Sequence, residues 1–111
     1  MGPWGRGMKQ YNKAVRDNIP AIIRAQGKEC LTKQVSDAVF LTYMEAKLSE
    51  ELEEYQEAPS AEELADLLEV IYRVAELRGT SREELEEVRR KKCQERGGFA
   101  ENLVLIAAEE E

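Results

Sequence analysis

An all-α fold is what this sequence predicts, on three observations. Apolar residues recur at helical spacing through two long stretches, 36–57 and 60–78. Residues that start and stop helices punctuate those stretches: Ser36-Asp37, Pro59-Ser60, Gly79, Ser81 and Gly97-Gly98. A composition of 42% hydrophobic and 35% charged residues suits amphipathic helices packed around one small core. At 111 residues the chain is too short for two domains with separate cores. It divides into a Gly-rich leader at 1–7, with Met8 as an alternative start, and a single all-α domain at 8–111.

Taken in order, Tyr11 to Gln26 carries Val15, Ile19, Ile22 and Ile23 near helical spacing. Asn18 is the expected cap of a short helix, with Pro20 in its first turn and Gly27 as its stop. Lys28 to Val35 alternates apolar and polar residues, which fits a short strand or an extended link. A long helix follows from Ser36-Asp37 to Glu57, with an apolar stripe of Phe40, Tyr43/Met44, Leu48, Leu52 and Tyr55. Pro59 ends it, and Ser60 caps the next helix, which runs to Arg78 with Leu64, Leu67, Leu68, Ile71, Val74 and Ala75 as its stripe. Ser81, with Glu84 placed for a capping box, starts a last helix to about Glu95. The tail contains Leu103-Val104-Leu105-Ile106, which predicts docking on a core. Helical bundling built on an antiparallel hairpin, completed by oligomerisation, is the expected architecture, because a short chain has few elements to cover two wide apolar stripes.

The composition also excludes chemistries. The chain has no histidine, so Ser-His-Asp and Cys-His nucleophiles, His-ligated zinc and imidazole proton transfer are absent. Two cysteines, Cys30 and Cys93, fit no metal-ligand spacing and read as free thiols. A formal charge of −7 argues against a nucleic-acid polymer as partner. Membrane partners are not expected, since no apolar run approaches the roughly 20 residues of a membrane span. With no signal-peptide pattern, a cytoplasmic location is the expectation.

The candidate site lies in the acids. Glu51 and Glu54 form one i, i+3 pair, Glu63 and Asp66 another, on either side of Ala58-Pro59-Ser60. The pairs 51/66 and 54/63 share one total, so an antiparallel hairpin brings all four acids to one level. Side chains from helices about 8–10 Å apart then converge. Four carboxylates in one place repel unless a cation lies among them, and Mg²⁺, with Mn²⁺ as substitute, suits oxygen ligands that leave positions open for water and phosphate. Helical wheels put Glu51 just off the core-facing stripe, Glu54 further round and Glu53 on the opposite flank. The same acids also read as an ordinary solvated helix face, with Ser60-x-x-Glu63 as a capping box, and spacing leaves both readings open.

A basic run, Arg89 to Arg96, holds five cations in eight residues. It reads either as charge complementing a helix C-terminus or as a phosphate-holding corner built on Lys92 and Arg96, with Lys13 and Arg16 as further candidates. Glu50-Glu51-x-x-Glu54 followed by Glu63-x-x-Asp66 resembles the EExxE…ExxD signature of the all-α nucleotide pyrophosphohydrolases, which include MazG-type enzymes and phosphoribosyl-ATP pyrophosphohydrolase. The opening Tyr11-Asn12-Lys13-Ala14-Val15-Arg16-Asp17-Asn18-Ile19-Pro20 and the closing Arg-Arg-Lys-Lys…Arg-Gly-Gly-Phe resemble a small phosphoribosyl-ATP-pyrophosphohydrolase-like branch. The joining segment, Tyr55 to Glu62, is shorter than is usual in MazG-type enzymes. The resemblance implies Glu51, Glu54, Glu63 and Asp66 as Mg²⁺ ligands, Glu50 as a supporting acid or the base for the attacking water, and Lys92 and Arg96 as phosphate contacts. It implies cleavage of a nucleoside triphosphate between the α and β phosphates, in a homodimer or higher oligomer. Hydrolysis of phosphoribosyl-ATP in histidine biosynthesis and a catalytically silent helical module are the alternatives.

Overall fold

In the computed structural model, which describes residues 7–110, the chain forms four α-helices and, among those residues, no strand. They are α1 (Ile19–Ala25), α2 (Asp37–Glu57), α3 (Ala61–Leu77) and α4 (Arg82–Arg96). The expected leader lies, but for Gly7, outside the described residues. No helix is long and apolar enough to cross a membrane.

The helix boundaries follow from local chemistry. Ser36, Ser60 and Ser81 each precede a helix in extended conformation and accept a hydrogen bond from the backbone N–H three residues on. At Ser81 the Glu84 carboxylate completes the reciprocal capping box, whereas the Ser60 cap is made by the serine side chain alone. Gly79, at φ 91°, closes α3 in a Schellman motif, with Gly79 N–H donating to Glu76 O and Thr80 N–H to Ala75 O. Asn18 departs from expectation. It precedes α1 in a helical conformation and its side chain caps nothing. Residues 28–36 are an irregular link rather than a strand.

The fold is organised by α2 and α3, which pack along each other across Ala58-Pro59-Ser60. Arg78 grips Glu45 through two hydrogen bonds of 2.9 and 3.1 Å, and Arg73 reaches Asp37 at 3.8 Å. At the other end Glu51 meets Glu63 and Asp66. Met44 and Val70 are buried between the helices, with Phe40, Tyr43, Leu48, Val74 and Leu77 packed on them. The third buried apolar residue, Ala14, comes from the segment before α1. Among the helices, α4 packs on α3 alone, with the Arg82 guanidinium 4.1 Å from the Tyr72 ring centre.

Two expectations about the apolar faces are corrected. Leu52 on α2 and Leu64, Leu68 and Ile71 on α3 belong to the predicted core stripes, yet all four are exposed in the single chain. The α2–α3 contact keeps Phe40, Tyr43, Met44, Leu48 and Val74 of those stripes and adds Glu51 and Val70, which lie outside them. The second correction is the tail. Among the described residues, 103–106 dock on nothing in their own chain, and Ile106 is 88% exposed. With so little buried, the chain is extended: its radius of gyration is 19.1 Å, against about 13 Å for a compact domain of this length.

A candidate metal centre between α2 and α3

Glu51 stands one turn beyond Leu48 on α2, and its side chain turns inward instead of lying at the rim as its wheel position predicted. It is 6% exposed, the one buried charged residue among those described. Burying a carboxylate is unfavourable unless its charge is met. Lys47 meets part of it, with its ammonium 3.3 Å from one Glu51 oxygen. The other oxygen, Oε2, is buried without a hydrogen-bond partner, and so is Oε2 of Glu63 on α3.

Glu51, Glu63 and Asp66 each place a carboxylate oxygen within 4.8 Å of the other two. Oxygens on opposite sides of a bound Mg²⁺ or Ca²⁺ are about 4–5 Å apart, so these three suit one hard cation with little movement. The two orphaned oxygens fit that reading independently, since a cation is a partner they lack. The Ser60 cap fixes the first turn of α3 by accepting from Glu63 N–H at 3.1 Å, which sets where that ligand stands.

Glu54, the fourth expected ligand, is exposed and outside this trio. It remains within the electrostatic reach of the cluster. Its carboxyl is held above the ordinary carboxylate range, chiefly by the charge and close approach of Glu51, with desolvation and the charges of Glu63 and Glu50 adding to it. Glu50 is half-buried and accepts a 3.0 Å hydrogen bond from the Lys13 ammonium. That bond is the first cause of a raised Lys13 pKa, with the charges of Glu50, Glu54 and Glu51 adding to it and burial opposing it.

Besides Lys47, the cations beside the cluster are Lys13 and Arg16, which spacing in the sequence left unplaced. Arg16 donates to Asp66 at 2.7 Å, and Ala14, buried between them in sequence, anchors the segment. Asn12, at φ 48°, takes a left-handed conformation that asparagine tolerates and turns the chain immediately before Lys13. Lys92 and Arg96, expected as phosphate contacts, are exposed on α4 and make no ion pair among the described residues. Neither lines the cleft of about 760 Å³ that opens beside Glu51 and Asp66. That cleft is walled by Val15, Ile22, Phe40, Met44, Lys47 and Arg73, among others. Lys47 is the residue that sequence reasoning missed; its signal was the Lys47/Glu51 spacing of four on one helix face.

No family model, curated protein or solved structure matches this chain.

Proposed function

We propose that the chain is a divalent-metal-dependent nucleoside triphosphate pyrophosphohydrolase, of the MazG-like, phosphoribosyl-ATP-pyrophosphohydrolase-like type, cleaving between the α and β phosphates. The observation that carries the metal reading is Glu51, a buried carboxylate with one unpartnered oxygen, facing Glu63 and Asp66. Glu51, Glu63 and Asp66 would hold Mg²⁺ or Mn²⁺, with Glu54 at the open side. The bound ion would supply charge neutralisation on phosphate oxygens and a lowered pKa for a coordinated water. Glu50, which accepts a hydrogen bond from Lys13 and neighbours Glu51 in sequence, would take a proton from that water. Lys13 and Arg16 supply positive charge at the cluster, and Arg16 can exchange Asp66 for a phosphate oxygen once the carboxylate is engaged elsewhere. The cleft beside the cluster is lined by both apolar and charged side chains, a mixture that suits a small ligand.

The wider reading is an antiparallel helical hairpin whose exposed Leu64, Leu68 and Ile71 are covered by self-association as a homodimer or larger assembly. A cytoplasmic setting suits a Mg²⁺-nucleotide substrate and two free thiols.

Product analysis with Mg²⁺ and a panel of nucleotides tests the activity. Monophosphate and pyrophosphate are the expected products, and Glu51→Gln should lower turnover by more than the roughly 10–100-fold typical of a supporting residue. Diphosphate with orthophosphate would mean cleavage at another bond. Turnover confined to phosphoribosyl-ATP would select the biosynthetic enzyme, and no turnover on any nucleotide would leave a silent helical module.

A further inference from the structure

Two unsatisfied features of the chain match each other. One is the strip of Leu64, Leu68 and Ile71 on the outer side of α3. The other is the arm that follows it: the C-terminal half of α4, then a helix-free segment in which Phe99 is 100% exposed and Leu103 to Ile106 nearly so. Helix α4 spans about 22 Å and, among the helices, packs on α3 alone. It contributes to a molecule 62 Å long and 31 by 28 Å across. Among the described residues of one chain, nothing covers the apolar tail.

Charge divides the same way. Residues 37–77 contain twelve Asp and Glu against two Lys and Arg, whereas residues 89–96 contain five Lys and Arg against one Glu. Arg89 and Arg90 are paired with Glu86 and Glu87 on their own helix, but Lys91, Lys92 and Arg96 have no acidic partner among the described residues. Apolar and basic groups on the arm thus complement an apolar and acidic α2–α3 surface. The arm of one copy is the occupant that supplies both.

We propose that two copies of this chain exchange arms, each laying Phe99 and Leu103–Ile106 along the exposed α3 strip of the other. The exchange sets Lys91, Lys92 and Arg96 of one copy against the acidic α2–α3 surface of its partner, which accounts for cations that find no partner at home. It rests on self-association and is independent of whether the carboxylates catalyse anything.

Sedimentation mass at micromolar concentration, for the wild-type chain and for Leu103→Asp/Leu105→Asp, provides the first test. The wild type is expected as a dimer and the variant as largely monomer, a weakening of tenfold or more. Helix content is expected to be unchanged at temperatures well below the variant's own Tm, since the tail contains no helix. For the second, a photo-crosslinking residue at position 104 is introduced, and that chain is mixed with isotopically labelled wild type. Crosslinks should join the unlabelled tail to labelled residues of 61–77. A wild-type dimer whose mass the tail substitutions do not change would overturn arm exchange and leave self-association standing. Crosslinks confined to one chain would also overturn it. A monomeric wild type would remove both.

Discussion

Glu51 sits where electrostatics and packing disagree: its neighbours on α2 and α3 bury it, while only Lys47 meets its charge. A ligand that binds the folded chain alone stabilises it by mass action, by about 2.7 kcal/mol at a hundredfold excess over its dissociation constant. Melting of the wild-type chain should therefore rise with Mg²⁺ or Mn²⁺. Glu51→Gln should lose most of that rise, and Glu53→Gln, exposed on the same helix, should keep it. Equal metal responses in the two variants would remove Glu51 from the ligand set. Glu54 gives a pH-dependent counterpart. Its carboxyl titrates above the unfolded value, chiefly because Glu51 is charged beside it, so folding favours its protonated form. That contribution is fully present below the unfolded pKa and is lost as pH rises through the folded one. In the absence of metal, acidification from neutral pH through the window just above the usual carboxylate range should relieve this strain. Glu54→Gln should flatten that part of the stability profile, which urea titrations across the window would detect.

At the scale of the helices, the caps both start the elements and place the site. Ser81 and Glu84 close a reciprocal box at the start of α4, and Ser81→Ala is expected to cost about 1 kcal/mol, a fall of about 4–8 °C in Tm. Ser60→Ala should cost a similar amount, with one difference. Ser60 holds the backbone of Glu63, so its loss should also weaken the Mg²⁺-induced rise in Tm, while Ser81→Ala leaves that rise intact. A Ser60→Ala protein with full metal response would separate the cap from the ligand. The segment bearing Lys13, Ala14 and Arg16 plays the complementary part: no helix holds it, and two ion pairs and one buried methyl group tie it to α2 and α3.

For the molecule as a whole, the three buried apolar residues among those described are few for a chain of this length. A domain that buries so little is marginal alone, and the stability of such a chain depends on its partner's concentration. The Tm should therefore rise as protein concentration is raised across the micromolar range, and Leu68→Asp should abolish that dependence along with the larger mass. A concentration-independent Tm with a monomer mass would mean that the exposed strip of α3 is simply solvated.

Helix positions were legible in the sequence because their signals are local. Ser36, Ser60, Ser81 and Gly79 act on backbone groups within a few residues of themselves, so the three long helices begin and end beside the residues that mark them. The meeting of Glu51, Glu63 and Asp66 was legible too, since a turn as short as Ala58-Pro59-Ser60 leaves two helices little freedom of register. The sequence alone could not choose which side of each apolar stripe would be buried. Leu52, Leu64 and Leu68 are as apolar as Met44 and Val70, and only the rotation of α2 against α3 decided between them. That same rotation carried Glu51 into the interior. The cations followed no local rule at all. Lys13 and Arg16 reach acids 37 and 50 residues away, whereas Lys92 and Arg96, exposed near the end of α4, were left outside the cleft. Short-range hydrogen bonding wrote the helices into the sequence; long-range packing, which depends on every face at once, decided what the site contains.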